Sequence, residues 1–130
     1  ATMGCDSLKE FNSIYNHRKK IYNIYLKELS KNKKVNCIHD YDKKKVHGAW
    51  LFTICVNNKD YLQKKLRDHY IETNQVHFRN DKYSIFKKFV KGKKYPNMDY
   101  VENKYLAIPV HHKVSFNKAK YIADLINKIV

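Results

Sequence analysis

Glycine is nearly missing from this chain: 3 residues in 130, at positions 4, 48 and 92. Phosphate cradles of the P-loop and dinucleotide types need closely spaced glycines, so both are excluded. Arginine is as scarce, 3 against 24 lysines, which leaves few of the planar forks that sequence-reading nucleic-acid sites use. The three cysteines, Cys5, Cys37 and Cys55, are odd in number and form no Cys-x-x-Cys pair. A zinc ribbon is therefore excluded, and the pattern points to a reduced, cytoplasmic setting with Cys55 as a core residue. No Gly-x-Ser-x-Gly elbow is present. No apolar run approaches the ~18–20 residues of a membrane span, so no membrane is expected among the partners. The opening ATMGCDSLKEF has no basic stretch followed by an apolar one and is not expected to be a signal peptide.

What is present is enough apolar material to fold. Hydrophobic residues make up 43% and aromatics 14%, and 130 residues are one domain's worth of core. The net charge of +15 fits an anionic partner: nucleic acid, a phosphorylated ligand or anionic lipid. A surplus of Lys, Asn, Ile and Tyr also arises from AT-rich codons with no partner selected.

Along the chain, Leu8, Phe11, Ile14, Tyr15, Ile21, Tyr22, Tyr25, Leu26 and Leu29 recur at helical spacing and predict one long amphipathic helix over 6–29. Residues 30–45 are polar and predict a loop around one short strand at 35–38. The stretch VHGAWLFTICV (46–56) is apolar on both alternating faces and predicts a central strand covered on both sides. Asn58 is a cap for a second helix over 60–70. Residues 71–78 predict another strand, 87–95 a basic loop, and 96–104 a short helix opened by Pro96. A strand at 105–110 and a Ser115-capped helix close the order. The fold class expected is α+β, one domain over 1–130. A small, mostly antiparallel sheet of about three strands packs against a long N-terminal, a middle and a C-terminal helix.

Chemistry concentrates in QVHFRNDKYSIF (75–86), where a strand end opens into an unbroken polar run. His77, Arg79, Asn80 and Tyr83 supply donors suited to phosphate oxygens and sugar hydroxyls. A solvated turn is the competing reading. His111 and His112 are adjacent and point apart, one packed and one exposed, which is poor geometry for a shared metal. His47 is expected to be a hydrogen-bonded core or interface residue.

Three ordered segments resemble one family. HGAWLFTICVNNKDYLQKKLRDHYIETNQVHFRND (47–81) is similar to its strand, helix and Gly-Ile-x-Thr-x-x-His-Tyr turn. YPNMDYVENKYLAIPVHHKVSFNKAKYIADLINKIV (95–130) resembles its closing Pro- and His-containing segment and terminal helix. ATMGCDSLKEFNSIYNHRKKIYNIYLKEL (1–29) looks like the long helix after its Asn-Tyr-Arg-Met-Thr motif. The family is the pyridoxal-phosphate-dependent sugar-nucleotide aminotransferases of the DegT/StrS type, in a perosamine-synthase-like form. Three positions depart from it: Ser7 stands for Gln, Tyr70 for the Gly before Ile71, and His112 for Pro.

The resemblance implies the small C-terminal domain of a fold-type I aminotransferase without its large cofactor domain. No lysine here has the Ser-rich approach and Gly-Glu-Gly-Gly exit of the family's Schiff-base lysine. The implied consequences are no cofactor bound by this chain alone, pyridoxal phosphate in the full-length enzyme, and no transamination without the missing large domain. His77 and Arg79, supported by Asn80 and Tyr83, would help hold the diphosphate or sugar of a sugar nucleotide. An expected partner of the isolated piece, by the same resemblance, is another copy of itself, through a stripe bearing Tyr22, Tyr25 and Leu29. A small basic nucleic-acid-binding module is the alternative, disfavoured by the element order.

Overall fold

The computed structural model describes residues 2–39, 42 and 44–130. Residues 40, 41 and 43 of the expected polar loop lie outside that description. Helix α1 (Thr2–Leu29) is followed by strands β1 (Asn36–Ile38) and β2 (Phe52–Cys55) and helix α2 (Lys59–Asp68). Two single 3₁₀ turns (Asn80–Lys82, Ser84–Phe86) lead into the short helix α3 (Lys87–Val90). Helix α4 (Pro96–Glu102), strand β3 (Tyr105–Ile108) and helix α5 (Phe116–Ile129) complete the order.

The sheet is antiparallel in the order β1-β2-β3, so β2 is central as expected. Ile54 stands opposite both Cys37 and Leu106, and Phe52 opposite Ile108. Directly opposed residues share a face, and this one is buried. Against it pack Ile21, Tyr22, Tyr25 and Leu29 of α1, Leu62 and Leu66 of α2, and Ala119, Ile122, Ala123 and Ile126 of α5. Both expected caps form: Asn58 accepts the Tyr61 N–H at 3.3 Å and Ser115 the Lys118 N–H at 3.1 Å. Asn127 of α5 donates to the Glu28 carbonyl and accepts from Asn32, tying the end of α1 to α5.

Four expectations are corrected. The long central strand shrinks to four residues, because Ala49 turns into the left-handed region (φ 47°) and its N–H donates to His47 Nδ1 at 2.9 Å. Its second face is only half-covered: Leu51, Thr53 and Cys55 are partly exposed. The strand expected at 71–78 is reduced to one bridge, Asn74 with Ala107. The buried stripe of α1 begins only near Ile21. Leu8 and Phe11 are exposed, while Tyr22, Tyr25 and Leu29, the expected association stripe, form the core. Length explains this: α1 runs ~42 Å and α5 only ~21 Å at 1.5 Å per residue, so half of α1 has no helix to lie on.

Candidate functional site

The polar run begins where the Asn74 bridge ends and is pinned twice near its start. Lys59 of α2 donates to Gln75 Oε1 at 2.9 Å, and the Tyr105 hydroxyl of β3 donates to the His77 carbonyl. Beyond these pins the chain makes its first 3₁₀ turn (Asn80–Lys82), with the Tyr83 N–H donating to the Asn80 carbonyl at 3.2 Å.

Arg79 is the most enclosed charged side chain of the run, 4% exposed. A buried cation must be paired, and this one is paired three times. Its Nε and Nη2 donate to the two oxygens of Asp81 at 2.9 and 2.6 Å. Its Nη1 reaches Asp99 and, at 3.2 Å, Glu102 of α4. Lys82 closes the cluster on Glu102 at 2.6 and 2.7 Å. The Asp81 and Asp99 hydrogen bonds push the guanidinium further above its ordinary value. Arg79 holds the Asp81 carboxyl low, and Lys82, then Arg79, do the same for Glu102. Of the donors expected for a ligand, Arg79 is thus engaged with carboxylates, and it fixes the shape of its own loop.

His77, Arg79, Asn80 and Tyr83 all border one open cavity of about 860 Å³. Its walls are largely aromatic: Phe78, Phe86, Phe89, Tyr95 and Tyr105, with Met98. Phe78 meets Tyr83 edge-on at 5.0 Å, and the His77 ring lies 6.2 Å from the Trp50 indole. Such a cavity can hold a flat or sugar-like group against rings while a few polar tips orient it. Sequence reasoning missed Asp99, Glu102 and most of the aromatic wall. A signal for the first two existed: three residues apart on a helix opened by Pro96, they share a face.

His111 and His112 are both exposed, with rings 6.5 Å apart, so the expectation of one packed ring is corrected. Among the described residues, no group of three or more His, Cys, Asp or Glu is arranged to hold a metal. The His47 ring lies tilted against Tyr22 with centroids 4.4 Å apart but stays exposed.

The chain matches the DegT/DnrJ/EryC1/StrS aminotransferase family over residues 1–127 and belongs to it. A UDP-4-amino-4,6-dideoxy-N-acetyl-beta-L-altrosamine transaminase of Campylobacter jejuni is 29% identical over 135 residues, covering 98% of this chain and 35% of the relative. The sugar aminotransferase CalS13 of Micromonospora echinospora superposes with a TM-score of 0.88 at 21% identity, over 96% of this chain and 33% of that one. PseC of Helicobacter pylori, an aminotransferase involved in the biosynthesis of pseudoaminic acid, gives 0.83 at 14% identity, over 97% and 35%. The chain therefore spans about a third of the length of the relatives it matches.

A sugar aminotransferase of Streptococcus pneumoniae similar in fold to this chain (TM-score 0.80, 17% identity, over 97% of this chain and 33% of that one) was solved in its PLP form. The described residues here do not fit that group. A Schiff-base lysine needs a desolvated, enclosed amine, and no described lysine is buried. The half-buried ones are engaged: Lys59 with Gln75, Lys65 over the Tyr61 ring and Lys104 over the Tyr100 ring. No described lysine borders the aromatic cavity.

Proposed function

We propose that this chain is the C-terminal part of a pyridoxal-phosphate-dependent aminotransferase acting on a nucleotide-linked keto-sugar, inactive until joined to a large cofactor domain. It folds as one domain over 1–130 and works in the cytoplasm. The observation that carries the reading is the common cavity of His77, Arg79, Asn80 and Tyr83 in a member of a sugar-aminotransferase family. In this reading His77, Asn80 and Tyr83 present donors to the sugar or diphosphate, and the aromatic wall covers the apolar face of the sugar or base. Arg79 sets the loop geometry, with its charge taken up by Asp81, Asp99 and Glu102.

The test is titration of the chain with UDP-N-acetylglucosamine, followed by NMR of the His77 and Tyr83 rings. Saturable shifts at both, weakened about tenfold in His77→Ala as expected for one lost charged or strong hydrogen bond, support the reading. Shifts confined to other surfaces, or none at millimolar ligand, overturn it. Co-expression with the large domain of the Campylobacter relative then reads out activity: the pair should transaminate and neither piece alone should.

A further inference from the structure

The segment after the cavity loop carries an unusual concentration of one charge. Lys87, Lys88, Lys91, Lys93 and Lys94 are all exposed, and no acidic residue lies between Asp81 and Asp99. Lys82 is spent on Glu102, so these five form the uncompensated strap. Beside them Ile85 and Phe89 are 73% and 60% exposed. They stand four residues apart on the helical stretch formed by the second 3₁₀ turn and α3, one turn above the other. The Lys88 amine lies 4.9 Å over the Phe89 ring. Apolar side chains standing outward within a ring of lysines are what an interfacial segment needs.

We infer that residues 84–94 dock this chain on the surface of an anionic phospholipid bilayer. Ile85 and Phe89 enter the boundary between headgroups and acyl chains, and the five lysines face lipid phosphates. Charge complementarity selects this occupant: lysines meet anionic headgroups as point charges and need no planar fork. An Ile at the tip offers no face for stacking a base, which disfavours single-stranded nucleic acid. The expectation of no membrane partner rested on the lack of a spanning run, and surface docking needs none. Phe89 also borders the aromatic cavity whereas Ile85 does not, and vesicle binding and sugar-nucleotide titration read the two roles separately.

Co-sedimentation with phosphatidylcholine vesicles, with and without about a third phosphatidylglycerol, tests it. Binding should require the anionic lipid. The double variant Ile85→Ser/Phe89→Ser keeps every charge and removes only exposed apolar groups; it should bind about tenfold or more weakly. Lys87→Gln/Lys88→Gln/Lys91→Gln should lose about fivefold per lysine, while Lys27→Gln/Lys118→Gln/Lys120→Gln, on α1 and α5, should change binding less than about twofold. If the serine pair binds like wild type, or the distant triple loses as much, the attraction is the diffuse pull of a +15 chain and the inference fails. It also fails if an oligonucleotide displaces the vesicles through the same residues, or if the serine pair instead turns an oligomer into a monomer on size exclusion.

Discussion

Replacing Tyr70 by glycine should stabilise this protein. Helix α2 ends in a Schellman motif: the Ile71 N–H donates to the Leu66 carbonyl at 2.9 Å and the Tyr70 N–H to the Arg67 carbonyl at 2.9 Å. Ile71 and Leu66, the apolar pair that accompanies the motif, are both buried. The motif requires a left-handed residue at the position of Tyr70, which has φ 57°. An L-residue there costs about 1–2 kcal/mol, most of which glycine avoids. Glycine's extra freedom in the unfolded chain returns about 0.4–1 kcal/mol of that. Tyr70 is 97% exposed, so no packing is lost. The net gain is about 0.5–1 kcal/mol, or a rise in Tm of about 2–4 °C for a chain of this length.

Thermal and urea unfolding of Tyr70→Gly, Tyr70→Asn and Tyr70→Ala separate backbone from side chain. Gly should lead, Asn should follow because it tolerates this conformation, and Ala should match wild type. If alanine stabilises as much as glycine, removal of an exposed ring is the cause and the backbone argument is refuted. The family pattern has Gly at this position, and the geometry supplies its reason.

Further outcomes can be checked with simple assays. Burial pushes the Cys37 thiol up to about 11 from the ordinary 9.0. Its folded value lies above its unfolded one, so its contribution is full below pH 9 and lost as pH rises through about 11. Urea titrations at pH 8 and pH 11 should show wild type losing about 2–3 kcal/mol more than Cys37→Ala. Burial likewise raises Cys55 and Tyr25, which adds to alkaline loss. Arg79→Gln should speed proteolysis after Lys82 by about tenfold while the thermal transition persists, since the loop opens without the core. Asp81 and Glu102 are held below their ordinary values, so the same loosening should appear in wild type when pH falls through those depressed values, and not above the ordinary carboxylate range. Leu8→Ser/Phe11→Ser should shift any self-associated form toward monomer on size exclusion, whereas Tyr22 and Tyr25 are core residues whose loss would unfold the chain.

The parts of the fold that were legible are those set by local chemistry. Asn58 and Ser115 announce their helices because a cap needs only its own side chain and the next turn. β2 was placed centrally because its alternation is apolar on both faces, but alternation registers burial and not backbone direction. It could not show that Ala49 turns left-handed, or that 71–78 runs beside β3 with one bridge only. The burial of α1 was overextended for a similar reason: the stripe from Leu8 to Leu29 is continuous in sequence, while the partner helix is half as long.

The site was half legible, and the division follows from distance along the chain. That 75–86 carries the chemistry could be read from its donors alone. The partners of Arg79 could not, since Asp99 and Glu102 lie twenty and twenty-three residues away and meet it only once α4 folds back. The polar run therefore does two jobs. Arg79, Asp81 and Lys82 pair within the ion cluster, which leaves His77, Asn80 and Tyr83 as the cavity-bordering donors outside it. A loop held by an ion cluster in place of a strand ladder keeps its shape only while the carboxylates stay ionised and the guanidinium stays planar. Arg79→Lys, which preserves charge and loses the fork, should accordingly disturb the cavity more than it disturbs the fold.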